Sequence, residues 1–211
     1  STGDAFGITV ASAGDFNGDG KDDVIVGAID DDNNSLNRSG SAFIFFGGIT
    51  GTKNSDTDAD VILNGQSAND QFGYTVASAG DFNGDGKGDV IVGAPLDGNG
   101  NAFIFFGGIT GTKRADANAD VILNGPTKFA YSVSSAGDFN GDGKDDVIVG
   151  APEGNSGTAY IFFGGITGTK TANTDADVIL NGQSTDDEFG INVASAGDFN
   201  GDGKDDVIVG A

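Results

Sequence analysis

The chain has 211 residues, no cysteine and no histidine, and its 32 acidic against 10 basic side chains give a formal net charge of −22. That balance opposes the phosphate neutralisation on which nucleic-acid binding depends and disfavours an anionic membrane surface. Without cysteine neither disulfides nor thiolate metal sites can hold the fold; no apolar run approaches the roughly 18 residues of a membrane span.

The chain begins at Ser1 without an initiator methionine or a basic, apolar leader, as expected of a mature product or an excised piece. The first element is a block that opens on Phe6-Gly7, continues through a valine-containing strand into S-A-G-D-F-N-G-D-G-K-x-D, and closes on V-I-V-G-A. It occupies residues 6–28 and recurs at 72–95, 129–152 and 189–211. A second block, A-[FY]-I-F-F-G-G-I-T-G-T-K followed by A-D-V-I-L-N-G, alternates with it at 40–65, 101–125 and 158–182. The first aspartates of the acidic loops, Asp15, Asp81, Asp138 and Asp198, are spaced 66, 57 and 60 residues apart. The long first period reflects six residues inserted within 29–39, and the short second one reflects three lost around 126–129.

Each block reads as a hairpin of short strands. Residues 24–26 and 43–46 are β-branched and aromatic on both alternating faces, the pattern of strands covered on both sides, and glycine-rich turns bound them. One repeat therefore supplies four antiparallel strands. The predicted fold is all-β, a single array of β-propeller repeats with four-stranded antiparallel blades, about three and a half in number. A β-solenoid is the alternative, although its coils usually repeat at shorter periods. All 16 phenylalanines fall at repeating positions and are expected to pack in the core.

The loop Asp15-Phe16-Asn17-Gly18-Asp19-Gly20-Lys21-Asp22-Asp23 carries the chemistry. Side-chain oxygens stand at loop positions 1, 3, 5 and 9, the hard set that calcium prefers, with the Lys21 carbonyl available at position 7. The same ligands recur as Asp81, Asn83, Asp85, Lys87 and Asp89, as Asp138, Asn140, Asp142, Lys144 and Asp146, and as Asp198, Asn200, Asp202, Lys204 and Asp206. Three carboxylates so close repel one another unless a cation lies between them. The competing reading is an Asx-turn loop whose Asp and Asn only bond backbone amides. An EF-hand is excluded because its twelfth position is Val26, and the G-D-G-K-D string lacks the glycine spacing and Ser/Thr of a phosphate loop.

These motifs resemble the FG-GAP repeats of the integrin α-subunit propeller and its bacterial relatives over essentially the whole chain. The FG is Phe6-Gly7, Phe72-Gly73 and Phe189-Gly190, and the GAP is Gly93-Ala94-Pro95 and Gly150-Ala151-Pro152, with D-x-[DN]-x-D-G-x-x-D between them. Phe129-Ala130 and Gly27-Ala28-Ile29 depart from the pattern. The resemblance implies a propeller, usually of seven blades, with calcium in the turn between the first two strands of each blade and a role in adhesion at the extracellular surface.

Together these features point to a calcium-binding extracellular or cell-surface adhesion or scaffold module that holds up to four calcium ions and is not an enzyme. Acid-base or nucleophilic work would fall to Asp, Glu, Lys, Ser or Tyr, and nearly all clustered acids belong to the loops. The alternatives are a purely structural unit of a filament, sheath or surface layer, and a non-catalytic module of a larger secreted enzyme. The expected partner is an unidentified protein or glycan, with self-association or membership of a longer repeat chain, because three and a half blades should not close a ring. The insertion at 29–39 is the natural place for specificity on a regular scaffold, the alternative being a surface insertion that the fold merely tolerates. It also carries two glycosylation-pattern matches, Asn33-Asn34-Ser35 and Asn37-Arg38-Ser39.

Overall fold

A computed structural model describes residues 3–154 and 156–211. The first blade contains β1 (Phe6–Gly14), β2 (Asp23–Ala28), β3 (Ser41–Phe45) and β4 (Val61–Asn64), in that spatial order. The second contains β5 (Thr75–Gly80), β6 (Asp89–Ala94) and β7 (Asn101–Phe105); its chain then forms β8 (Gly111–Arg114) before returning as the outer strand β9 (Val121–Asn124). The third repeats this with β10 (Ser132–Gly137), β11 (Asp146–Ala151), β12 (Thr158–Phe162), β13 (Gly168–Thr171) and outer strand β14 (Val178–Asn181). A hairpin of β15 (Asn192–Gly197) and β16 (Asp206–Gly210) completes the described chain, and the sheets do not close on one another.

Within each blade neighbouring strands are antiparallel and in the register the repeats suggest, with Ile25 opposite Ile44 and Ile91 opposite Ile104. All six residues of β6 and of β11 are buried. This is the burial that strands without a polar face require, and it is met because the second and third blades are covered on both sides. Apolar side chains of adjacent blades form the core: Phe72, Phe103 and Phe105 join Ile25 and Leu63 between the first and second blades, and Phe129, Phe162 and Val149 join Phe82 and Leu123 between the second and third. Phe129 meets Tyr160 and Phe162 edge-on, the geometry the ring quadrupoles favour.

The FG and GAP motifs have a joint explanation. The GAP glycine of one blade abuts the FG dipeptide of the next: a Cβ on Gly27 would lie 2.2 Å from the Gly73 carbonyl oxygen, and one on Gly150 would lie 2.0 Å from that of Gly190. Gly73 sits at φ +86° and donates its N–H to the Gly93 carbonyl at 3.1 Å. Ala130 stands at this position in the third blade and adopts φ +62°, a left-handed backbone that costs an L-residue with a Cβ about 1 kcal/mol.

Two features differ from the sequence reading. Strands β8 and β13 leave their own blades and pair in parallel with the outer strands β4 and β9 of the preceding ones, which makes five-stranded sheets of the first two blades. The phenylalanines are also not uniformly buried. Phe16 and Phe82 are fully buried, whereas Phe199 at the same loop position is 87% exposed, and Phe6 is half exposed. The D-F-N phenylalanine is covered by the next blade along the chain, whose glycine N–H bonds its carbonyl: Gly108 to Phe16 and Gly165 to Phe82, each at 2.7 Å. Phe199 and Phe6 lie on the outer faces of the array.

Because the strands run up and down, the acidic loops share one end of the blades with the third-to-fourth-strand connections. The second-to-third-strand loops, including the insertion, lie at the other end with the links between blades. The insertion is ordered by its own polar side chains: Arg38 Nε donates to Asp30 Oδ1 at 2.6 Å, and the Arg38 N–H donates to Asp32 Oδ1 at 2.7 Å. Asn33 is buried, and its Nδ2 donates to the Gly40 carbonyl at 2.7 Å and to Ser41 Oγ at 3.1 Å. Its amide is thereby committed to holding the loop, so the first glycosylation match is a structural asparagine.

Candidate metal centres

Each acidic loop begins where its first strand ends and closes where its second begins, so the hairpin fixes both ends of the nine-residue turn. The glycines at positions 4 and 6 take φ between +76° and +89° in all four copies. No heavy atom lies within 4 Å of a Cβ built at position 6, on Gly20, Gly86, Gly143 or Gly203. Glycine is needed there for the left-handed turn and not for space.

The four side chains at positions 1, 3, 5 and 9 turn back onto their own loop. In the second copy Asp81 accepts the N–H groups of Asp85 and Gly86, each at 2.9 Å, and Asn83 Oδ1 accepts that of Asp85 at 2.7 Å. Asp85 Oδ1 accepts from Lys87 at 3.0 Å, and Asp89 Oδ2 accepts from Asn83 at 3.0 Å. The first and fourth copies match closely: Asp15 accepts from Asp19 and Gly20, Asp198 from Asp202 and Gly203, and both Asn17 and Asn200 hold the fifth-position N–H. In the third copy Asp138 takes the amides of Gly141, Asp142 and Gly143, and Asn140 Nδ2 donates to Asp142 Oδ2 at 2.9 Å, as Asn83 Nδ2 does to Asp85 Oδ2, but no N–H reaches Asn140 Oδ1.

The Asx-turn bonds of the competing reading are therefore present. Among the described residues no three acidic side chains are gathered closely enough to hold an ion by carboxylates alone. The loop amides hold the carboxylates around the turn, and each ionised carboxylate has about four acceptor sites, of which these bonds use one to three. One atom is left over: Asn140 Oδ1, at ligand position 3, is buried without a hydrogen-bond partner. An orphaned buried acceptor costs about 1–3 kcal/mol, and a hard cation would satisfy it. The residues present fit calcium, with Asp at positions 1, 5 and 9, Asn at 3 and the lysine carbonyl at 7 as the oxygen donors.

Two supports escaped the sequence reading. The first is the glycine pair after the third strand. Gly47 donates its N–H to Asp23 Oδ1 at 2.6 Å, and Gly107 and Gly164 donate to Asp89 and Asp146 Oδ1 at 2.8 Å, so the ninth-position carboxylate is fixed from the blade's other hairpin. The second is the aspartate at position 8. Asp145 Oδ2 accepts the N–H of Asp81 at 2.6 Å and Asp205 Oδ2 accepts that of Asp138 at 2.9 Å, tying the third loop to the second and the fourth to the third; the second loop has Gly88 at this position, whose N–H donates to the Asp15 carbonyl at 3.0 Å. Asp22, which has no earlier blade to bond among the described residues, is exposed. The recurring G-G and the eighth-position Asp were the available signals, but what they bond is visible only across the blade.

Burial raises the Asp89 carboxyl to about 7 and that of Asp146 to about 6, against the opposing pull of the N–H groups of Gly107 and Asn83 on Asp89 and of Gly164 and Asn140 on Asp146; the neighbouring loop carboxylates add to the rise. The Lys21 ammonium, 3.1 Å from Asp19 Oδ2, holds Asp19 below the usual carboxylate range.

Comparison with known proteins agrees with this architecture. The FG-GAP repeat model matches residues 6–45, 72–105, 129–162 and 189–211, and the chain belongs to the FG-GAP repeat family. It is 32% identical over 166 residues to integrin alpha-PS3 of Drosophila melanogaster, an alignment covering 76% of this chain and 14% of that protein. It is 30% identical over 226 residues to integrin alpha-8 of Gallus gallus (97% and 20%) and 34% identical over 157 residues to integrin alpha-6 of Homo sapiens (71% and 13%). The chain thus spans one fifth or less of the length of these relatives. Among the described residues no helix is long and apolar enough to cross a membrane.

Proposed function

We propose that the chain is a non-enzymatic, calcium-stabilised adhesion or scaffold module of the extracellular or cell surface, with one calcium ion in each of its four acidic loops. The observation that carries this reading is the fourfold recurrence of one loop with oxygens at positions 1, 3, 5 and 9, one of them a buried acceptor without a donor. The likeness to integrin alpha subunits supports a surface role that recognises a protein or glycan. Affinity is expected near that of extracellular calcium modules, about 10⁻⁴ to 10⁻³ M. Calorimetry on chelator-treated protein tests it: saturable uptake of up to four calcium ions is expected, and no saturable uptake overturns the reading.

A second reading, repeats that build a filament or surface layer, draws on the apolar side chains at the two ends of the array. Phe6, Ile8, Val10 and Val24 are exposed at one end, and Phe199 and Ile208 at the other. Light scattering across a dilution series separates the two, since the second requires concentration-dependent association and the first does not.

A further inference from the structure

The end of the blades opposite the acidic loops carries a second, smaller polar constellation. Asp70 lies in the link that enters the second blade and Asp97 in that blade's second-to-third-strand loop. Asp70 is only 6% exposed, and its Oδ2 has no hydrogen-bond partner. Gln66, four residues before Asp70, bonds Asp97: its Nε2 donates to Asp97 Oδ2 at 2.8 Å, and its Oε1 is a second buried acceptor without a donor. Asn101 Nδ2 also donates to Asp97 Oδ2 at 2.8 Å. Burial, reinforced by the charge of Asp97, raises the Asp70 carboxyl to about 6 although Ser67 bonds it. A buried carboxylate under the charge of a second carboxylate is costly unless it coordinates a cation or is otherwise paired.

The repeats supply an internal comparison. Counting back two residues from the FG phenylalanine gives Asp4, Asp70, Thr127 and Asp187; counting on four from the GAP glycine gives Asp31, Asp97 and Gly154. The first two blades thus have both acids and the third has neither. The first pair is also in electrostatic contact, since Asp4 acts on the half-buried Asp31, whose Oδ2 accepts from Ser41 Oγ at 2.6 Å, as Asp97 accepts from the equivalent Asn101. Two like charges that occur together twice and vanish together once behave as one unit.

We propose that Asp70, Asp97 and the Gln66 side-chain oxygen form a site for a hard cation such as calcium on the face opposite the acidic loops, with Asp4 and Asp31 as its counterpart in the first blade. The donor set is all oxygen, with two carboxylates and one amide, and the two orphaned acceptors supply the positions an ion would take. The site joins the link between two blades to the next loop of the second one, so the ion would clamp the blade entry where the insertion also packs: the N–H of Asn69 donates to the Asn37 carbonyl at 2.9 Å.

Terbium, a luminescent substitute for calcium, tests this on the whole chain. The protein has three tyrosines and no tryptophan, and Tyr74, with its ring 5.1 Å from that of Tyr131, lies four residues from Asp70. Tyrosine-sensitised emission that calcium competes away should fall in Tyr74→Phe. It should drop about tenfold in both Asp70→Asn and Asp97→Asn, and persist in the acidic-loop variant Asp85→Ala. Gln66→Glu adds a ligand charge and should tighten the apparent Kd at least about threefold, a gain that a misfolded variant cannot mimic. Emission in both Asp→Asn variants within about twofold of the parent, or no Tyr74-dependent emission at all, overturns the proposal and leaves a proton shared by the two carboxylates as the way their charge is relieved. The readout does not depend on whether the acidic loops bind calcium, so the two readings fail separately.

Discussion

Replacing Asp85 with alanine tests the acidic-loop assignment at its most enclosed copy, since the second blade has a neighbour on each side. In the calcium-free protein the substitution removes the acceptor of the 3.0 Å bond from the Lys87 N–H, and Asn83 Nδ2 loses its 3.1 Å contact with Asp85 Oδ2. Such exposed bonds are worth about 0.5–1.5 kcal/mol each. For a chain of this length the two together lower Tm by roughly 2–12 °C. The calcium-dependent part is separate. At 10 mM calcium and a Kd of about 10⁻³ to 10⁻⁴ M, one native-state site contributes about 1.4–2.7 kcal/mol by mass action, or roughly 3–10 °C. Asp85→Ala should therefore shrink the calcium-induced rise in Tm by that amount on top of its calcium-free loss. Asp22→Ala, at the exposed eighth position of the first loop, should leave the calcium increment unchanged. Differential scanning calorimetry with chelator and with calcium reads both quantities; equal calcium increments in the parent and both variants would refute the ligand assignment.

Asp145→Ala should lower Tm by several degrees in the calcium-free state, because it strands the Asp81 N–H held by a charge-assisted bond worth about 1.5–3 kcal/mol; a Tm as high as that of Asp22→Ala would show that the loop-to-loop tie carries no stability. Phe82→Ala should cost about 3–5 kcal/mol as a core truncation, while Phe199→Ala, at the same loop position but 87% exposed, should change stability by less than about 0.5 kcal/mol. Urea midpoints that move equally would contradict the burial by the next blade. For pH, Asp89 and Asp146 bind protons more tightly in the native state than their unfolded value of 3.8. Native protein thus carries more protons than unfolded protein between about pH 4 and 7, and stability falls as pH rises through that window. Chelated protein should melt at lower temperature at pH 7.5 than at pH 5, and Asp89→Asn should flatten the decline; a rising or flat profile in the parent would count against the buried, protonated carboxyls.

The blades and their loops were legible because the information is repeated and local. Four copies of V-I-V-G-A and three of F-I-F-F bound short strands, and the ligand spacing sits within nine residues. What the sequence hid is what one repeat does to another. Strands β8 and β13 read G-T-K-R and G-T-K-T, with no apolar alternation, because they pair through their backbones with an outer strand and bury almost nothing. The contrast between Phe82 and Phe199 was equally invisible, since identical residues in identical loops differ only in whether another blade covers them. Asp145 looked like one more loop acid, and its role depends on a partner 64 residues away. The Asp70–Asp97 pair was unseen because its members belong to two different loops 27 positions apart.

The parallel strands have a bearing on how such an array can be divided. Residues 111–114 are contiguous with the second blade but complete the sheet of the first, and residues 168–171 do the same for the second. The unit that repeats along the chain is therefore not the unit that could be cut out of it. Excising the second repeat would expose the outer edge of the first sheet and leave its own outer strand β9 unpaired on one side, inviting the edge-to-edge association that natural sheets avoid. Exchange, deletion or duplication of repeats should be tolerated only when the crossover falls after a donated strand, so that every sheet keeps the neighbour that finishes it.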